Sequence, residues 1–490
     1  MAHTRYATHS KPPHLVAGIP PRPGGSARPI PRTAYRQTPP VLAEKDLLHL
    51  DGHDEIFHIP QTQRYCDEDF DYWDPAITTP PGLYLLSAIP LMTVHIPCSP
   101  TILRSTNLLF STAIIPGILS VILEPSFAKP LWRHLMKPSS DALVISSFPL
   151  IFFFANLYYT DVASLAGVLA AYALALRGWH WSSSLVGAWS ITVRQTNVVW
   201  LGFTVAVTVL REVKNERKGK LEDETERAVD QNDPLLSDVI GFSQLVTATM
   251  SSVDTILSRP RKFVKVILPY IPTFLSFLIF LKWNDGIVLG HKELHQPVIH
   301  LPQMFYFVAF ASVMLLPILF SDGMGIIRGA LRIGLGSWPR VMASAVILAM
   351  FDLAVHYSTI YHPFLLADNR HYVFYFLHRI FLPFPAAKYL LTPVYLFGCW
   401  AWIWRLRRSA TILWMIGFLA ATALVLVPSP LIEPRYFLIP TVFLRLQVGP
   451  TPFVWLEYGW YALINVSTVA LFLLRKFRWE GWEGWMRFMW

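Results

Sequence analysis

From about residue 105 onward the chain is a succession of apolar runs separated by short polar breaks. The runs lie at 105–123, 141–158, 161–176, 182–193, 196–210, 263–282, 303–321, 340–357, 387–404, 410–427 and 453–474. The count predicts about 11 membrane spans, several of them shorter than the roughly 20 residues of a straight crossing and therefore broken or tilted. Gly82–Pro97 is apolar but short and bounded by prolines, and reads as a helix packed on one side of the bundle. Residues 1–45 carry recurring prolines, scattered arginines and no acid before Glu44, a composition that predicts a disordered tail ahead of one multi-span domain at 46–490. The hydrophilic stretch 211–262 mixes acids and bases. It reads as a solvated cytosolic linker with one amphipathic piece near Val239–Met250.

Composition agrees. Of 490 residues, 53% are hydrophobic and only 15% charged, against roughly 25% charged in soluble domains. The predicted fold is an all-α, polytopic membrane helix bundle. A formal net charge of +9 could indicate nucleic acid, but the basic residues sit in short clusters between apolar runs. These clusters are Lys129–Lys137, Arg177, Arg211–Lys220 with Arg259–Lys262, Arg328–Arg340, Arg405–Arg408 and Arg475–Arg478. Counting the runs places every cluster on one face, the cytosolic one by the positive-inside bias. No nucleic-acid partner is expected. The loops holding Asp54, Asp161, Arg194, Asn284–His300, Tyr361–Phe384 and Glu433–Arg435 then share the opposite face. A transporter would show internal repeats with matching broken segments, and none is visible.

Three cysteines, Cys66, Cys98 and Cys399, make an odd number without metal-ligand spacing, so neither a disulfide framework nor a structural zinc is expected. Asp67, Asp69 and Asp71 alternate as a solvated loop face, and no metal is expected there. His291, His295 and His300 are too scattered to assign. The sequon Asn465-Val466-Ser467 lies inside an apolar run and should stay unmodified.

The densest polar stretch is Asp54-Glu55-Ile56-Phe57-His58-Ile59-Pro60-Gln61-Thr62-Gln63-Arg64-Tyr65-Cys66, continued by Trp73-Asp74-Pro75 to Pro80-Pro81-Gly82-Leu83-Tyr84. Four shorter stretches follow: Tyr158-Tyr159-Thr160-Asp161, Arg194-Gln195-Thr196-Asn197 through Trp200, Asp368-Asn369-Arg370-His371-Tyr372, and Arg435-Tyr436-Phe437. In this order they closely resemble the endoplasmic-reticulum α-1,2-glucosyltransferases that use dolichyl phosphate glucose to finish the lipid-linked oligosaccharide of N-glycosylation. The resemblance runs from about Asp54 to Trp490. It implies the polyprenyl-phosphate-sugar glycosyltransferase (GT-C) class, a multi-pass endoplasmic-reticulum membrane protein with a luminal active site, and a metal-independent reaction without cofactor. Its implied partners are dolichyl phosphate glucose and a diglucosylated lipid-linked oligosaccharide. A β-linked donor and an α-linked product imply inversion by single displacement. Another sugar transferase of the same class is the nearest alternative. The family carries a span just before the Asp-Glu loop. No apolar run before Ile56 has that length, so the first span is absent or the start of the chain is misread.

Glycosyl transfer from a lipid phosphate requires a base for the acceptor hydroxyl, cationic or hydrogen-bonding groups for the departing phosphate, and a pocket that aligns the two sugars. Asp54 is the expected base and Glu55 its competitor; Asp54 is equally suited to cap a helix starting near Ile56. Arg370 and Arg435 are expected at the phosphate, because the guanidinium fork donates parallel bonds, with His371 and Tyr436 as further donors. His58 and Gln61, about one turn apart, are placed in the acceptor groove. Arg194 interrupts an apolar run, where charge is costly; it either meets substrate or pairs with Asp161. Asp74 and Asp368 complete the expected substrate-binding set.

Overall fold

The computed structural model describes residues 55–124, 130–219, 233–239, 241–290, 292–479 and 485–490. The tail 1–45 and Asp54 lie outside them. The described residues form a helical bundle, with one two-stranded antiparallel ribbon of Lys476–Phe477 and Met486–Arg487.

Among the described residues four helices are long and apolar enough to cross a membrane: Pro100–Leu123, Pro260–Asn284, Trp338–Ser358 and Val454–Leu474. Prolines shape several helices, Pro100–Leu123 among them. Pro116 has no N–H for the helical ladder, and one turn before it the helix opens into a π-turn, Phe110–Ile114, before resuming as Ile115–Leu123. The expected run 141–158 is two helices, Ser140–Ser146 and Pro149–Ala155, and the run 303–321 breaks at Leu315 just ahead of Pro317. Both breaks fall in runs of near-full length and sit next to a proline, Pro149 or Pro317. Gly82–Thr93 is a short helix, as expected, and it packs beside helix Glu55–Cys66.

Thr160–Leu176 and His180–Val193 make the closest helix pair of the core. Gly167 permits it, since a Cβ there would stand 2.6 Å from the Ser190 Cβ. Around them Leu83, Tyr84, Tyr158, Leu165, Trp200, Phe203 and Phe443 are buried in one continuous cluster.

Two sequence expectations are overturned. The first concerns cysteine. Cys66 and Cys98 form a disulfide, with their Cα atoms 6.5 Å apart across 32 residues. It ties the end of helix Glu55–Cys66 to the loop entering Pro100–Leu109. Counting three cysteines could not reveal that the polar loop folds back onto this entry; Cys399 is the odd one, with a free thiol.

The second concerns sidedness. Helix Ile412–Leu426 carries the chain from Ser409 to Ser429. After Tyr436, helix Leu438–Val448 carries it back, because Gln447 donates to the Ser409 carbonyl and Arg445 bonds to Asp141. This return pass is absent from the apolar-run count. Val454–Leu474 therefore ends on the Tyr436 side, and Arg475–Arg478 lie there, opposite Arg405–Arg408. The C-terminal strands accordingly meet the Asp368–Tyr372 motif: Met489 N donates to Arg370 O at 3.0 Å, and Trp479 Nε1 to Asn369 Oδ1 at 2.7 Å. Lys476 and Arg478 rest on the Trp485 ring at 4.6 and 4.1 Å, contacts that favour cations.

Leu438–Val448 escapes a hydropathy reading because it contains Arg445. That guanidinium is buried and fully engaged. Nε and Nη2 bond the Glu457 carboxylate at 2.8 and 2.9 Å, Nη2 also meets Asp141 Oδ1 at 2.9 Å, and Nη1 donates to Gly449 O at 2.7 Å. Paired charges of this kind are tolerated in a core, where single ones are not.

Candidate active site

The Tyr436 end of the bundle gathers the sequence motifs. Asn107, buried in helix Pro100–Leu109, donates to the carbonyls of Leu157 and Tyr159, both at 2.7 Å, and so fixes the turn before Thr160–Leu176. Asp161 in the first turn of that helix accepts from Arg194 Nη1 at 2.8 Å. The carboxylate is fully buried and its Oδ2 has no hydrogen-bond partner among the described residues. This is the Asp161–Arg194 pairing offered by the sequence as one of two roles for Arg194.

Arg194 also lies over the Tyr436 ring at 5.7 Å. The 3₁₀ turn Pro434–Phe437 presents Arg435, whose Nε donates to Glu433 and whose guanidinium faces Tyr159 at 6.0 Å and Tyr436 at 5.9 Å. Arg194, Arg435, Glu433, Asp161, Tyr159 and Tyr436 are thus one cluster, assembled from three separate motifs. Burial holds the Tyr436 phenol above its ordinary pKa and Glu433 adds to this, while Arg435 and Arg194 oppose it. The O–H therefore stays protonated and able to donate.

Helix Glu55–Cys66 supplies the neighbouring wall. His58 Nδ1 meets Tyr84 Oη at 2.5 Å, and its ring lies edge-on to Tyr159 at 5.8 Å. Gln61 serves the backbone of its own loop: Nε2 donates to Tyr72 O at 2.8 Å and Oε1 accepts from Asp74 N at 2.9 Å. Asp74 in turn accepts from Ala76 N at 2.8 Å, a side-chain turn. The loop is then closed from outside. Gln195 Nε2 donates to Thr78 O at 2.7 Å, and Leu289 N donates to the same carbonyl. Gly290 approaches so closely that a Cβ there would lie 2.2 Å from Pro75 O.

Glu55 is buried at the start of its helix. Arg104 grips it with two bonds, Nε and Nη2 each at 2.9 Å, and Tyr158 N donates to it at 2.6 Å. Oε1 takes both Arg104 Nε and Tyr158 N and Oε2 takes Arg104 Nη2, which ties the helix to Pro100–Leu109 and to the 157–161 turn.

The Asp368–Tyr372 motif faces the C-terminal strands. Asp368 takes the Nε and Nη2 donors of Arg370 and lies 3.6 Å from His371 Nε2. Burial pushes the Asp368 carboxyl up, but hydrogen bonds from Arg370 and the nearby His371 charge outweigh it and leave the pKa below the ordinary value. Arg370 stacks on Trp479 at 4.6 Å, and His371 Nδ1 contacts Trp490 O at 3.0 Å. The segment reaches the Arg435 side through an apolar cluster of Leu365, Leu377, Phe381, Leu431 and Ile432, against which Tyr436 is packed.

Residue-by-residue reading of the sequence did not single out Asn107, Arg104, Tyr84, Tyr159 or Trp479. The tryptophan-rich C-terminus was the one visible signal for the last. Among the described residues no group of three or more His, Cys, Asp or Glu could hold a metal ion.

A family profile described as the DIE2/ALG10 family matches residues 51–446. Three curated relatives carry the name Dol-P-Glc:Glc(2)Man(9)GlcNAc(2)-PP-Dol alpha-1,2-glucosyltransferase. The Arabidopsis thaliana protein is 34% identical, over 89% of this chain and 94% of its own length. The Mus musculus protein is 33% identical, over 89% and 92%, and a Homo sapiens protein is 33% identical over the same shares. No solved structure matches. Matched over most of its length by both the profile and these relatives, the chain belongs to the DIE2/ALG10 family.

Proposed function

We propose that this protein transfers the terminal α-1,2-linked glucose from dolichyl phosphate glucose to the diglucosylated lipid-linked oligosaccharide. It does so at the luminal face of the endoplasmic-reticulum membrane, in a bundle of the GT-C class. The names of the relatives supply the reaction. The observation in this chain that carries the reading is the cluster of Arg194, Arg435 and Tyr436 beside Tyr159 and His58. It brings two arginines, paired with Asp161 and Glu433, and a protonated phenol together at one end of a membrane bundle. The opposite end bears Arg405–Arg408, which the positive-inside bias assigns to the cytosol.

In this scheme Asp54, the residue before Glu55, accepts the proton of the acceptor hydroxyl. The hydroxyl oxygen bonds to C1 of the donor glucose as the C1–O bond to phosphate breaks, with inversion. The electron pair leaves with dolichyl phosphate. Arg435 and the Tyr436 hydroxyl receive this anion, with charge-assisted bonds strongest where charge develops. Arg370 and His371 line the donor side. His58, with the loop that Gln61 and Asp74 shape, faces the acceptor sugars. The phosphate is a stable leaving group, so the scheme requires no strong general acid.

Lipid-linked oligosaccharides from cells lacking the protein test the reading. Accumulation of a species one glucose short of complete, restored by the wild-type chain, is the expected result. A normal oligosaccharide profile would overturn it.

A further inference from the structure

Helix Phe242–Ser258 lies within the hydrophilic 211–262 stretch and is not one of the apolar helices of span character. Its more apolar side faces outward. The side turned to the protein is mixed: Ala248, Ser251, Ser252 and Thr255, flanked by half-buried Leu245 and Ile256. Arg217 donates to Ser251 Oγ at 2.7 Å and to Thr255 Oγ1 at 3.2 Å. The opposite side carries Val246, Met250, Val253 and Leu257, one stripe at helical spacing, exposed by 44%, 66%, 44% and 71%. Thr249, exposed on the edge of this stripe, turns its hydroxyl to Leu245 O. A third strip, between the other two, is exposed and polar: Ser243, Thr247, Asp254 and Ser258.

We infer that helix Phe242–Ser258 lies flat in the membrane interface at the Arg405–Arg408 end, with its Val246–Leu257 stripe in the acyl chains of that leaflet and its Thr247–Asp254 strip in water. In water such a helix would turn its apolar stripe inward. An outward apolar stripe with polar residues against the protein is what lipid as solvent favours. The occupant follows from continuity. Only Arg259 separates the helix from the span Pro260–Asn284, whose most apolar 18 residues are just 17% buried and whose Val264, Leu268, Ile271 and Leu275 continue the exposed apolar surface. The same lipid that covers this span reaches the stripe. Arg261 and Lys265 are exposed at the junction, where guanidinium and ammonium groups meet phospholipid phosphates while their stems stay in apolar surroundings.

Single cysteines placed at these exposed positions of the full chain, labelled with an environment-sensitive fluorophore in phosphatidylcholine nanodiscs, test the placement. Acyl-chain doxyl lipid and aqueous iodide serve as opposed quenchers. Labels at Met250→Cys and Leu257→Cys should be quenched several-fold more by doxyl lipid than by iodide. Labels at Thr247→Cys and Asp254→Cys should show the reverse order. Iodide quenching of the Met250 and Leu257 labels equal to that of Asp254 would place the stripe in water and overturn the inference. Protection of those two labels from both quenchers would place a protein surface there, including a second copy of this chain, and overturn it equally.

Discussion

Asp161 and Arg194 meet at 2.8 Å across the hairpin of the two most closely packed helices, and the carboxylate they share has no exposed surface. Two neighbouring turns of the candidate site are therefore held by one buried ion pair. Removing one partner strands the other charge, which costs roughly 3–5 kcal/mol in a buried setting. Arg194→Met should lower the thermal midpoint of the detergent-solubilised protein sharply. Adding Asp161→Asn should recover much of the loss, since no charge is then stranded. If the double variant melts no higher than the single one, the pair does not hold these turns.

Asp54 and Glu55 are adjacent acids with separable roles. Asp54→Asn should lower glucosyl transfer on the order of 10²–10⁴-fold, the range of a lost general base, at unchanged protein abundance. Asparagine still caps a helix as well as aspartate does, so a capping role predicts little change. Glu55→Gln should instead act through stability, because it weakens the grip of Arg104 and Tyr158 N. An inactive but normally stable Glu55→Gln, beside an active Asp54→Asn, would transfer the base role to Glu55.

Arg435 is tested by graded substitution. Arg435→Lys keeps the charge without the fork, and Arg435→Ala loses both. Donor use, read as kcat/KM for dolichyl phosphate glucose, should fall in both, with alanine the worse. Wild-type kinetics in Arg435→Ala would leave this arginine a bracket for Glu433 and Tyr159 only.

The Cys66–Cys98 bond closes a loop of 32 residues, for which the chain-entropy relation gives about 3–4 kcal/mol. Cys66→Ala, or reduction of the wild type, should lower the unfolding midpoint correspondingly. The acceptor KM should rise with it, because the tied helix carries His58 and Gln61. An unchanged midpoint after complete reduction, verified by thiol counting, would show that the bond does not restrain this loop.

His300 gives the fold a pH dependence. Its ring is buried without a well-formed hydrogen bond, and burial lowers its pKa from 6.5 to about 4, with only partial opposition from the Ser429 backbone. Below pH 6.5 the unfolded chain takes up a proton that the folded chain refuses, so stability falls with acidification. The loss grows to about 3 kcal/mol near pH 4. His300→Asn should flatten this part of the profile in unfolding measurements between pH 7 and 5. An equal slope in variant and wild type would assign it to other groups.

The sequence made the chemistry-bearing stretches legible because each is a short run of dissimilar polar residues in an apolar chain. It also allowed the Arg194–Asp161 pairing, since a charge inside an apolar run must find a partner. Leu438–Val448 was hidden for the opposite reason. Arg445 looks like the end of a span until Glu457 and Asp141, remote in sequence, are seen around it. That one omission reversed the side of everything after it. The disulfide was hidden likewise, because its partners meet only once the 67–97 segment has folded back. Glu55 read as the competing base and Gln61 as an acceptor-groove residue by type; in the fold their polar atoms meet Arg104, Tyr158 N and the backbone of Tyr72 and Asp74, partners that no local pattern reveals.

The clasp between the Asp368–Tyr372 motif and the last residues also sets an order of assembly. A ribosome releases Arg370 into the membrane more than a hundred residues before Met489, the residue whose N–H it receives. Until Val454–Leu474 has crossed, Trp479 and Trp490 are absent and the motif has nothing to close on. A transcript cut short before this last crossing would still insert most of its helices, but Asn369 and His371 would lose their tryptophan contacts. Synthesis of the final segment is therefore the step that locks this motif, well after the surrounding helices have entered the bilayer.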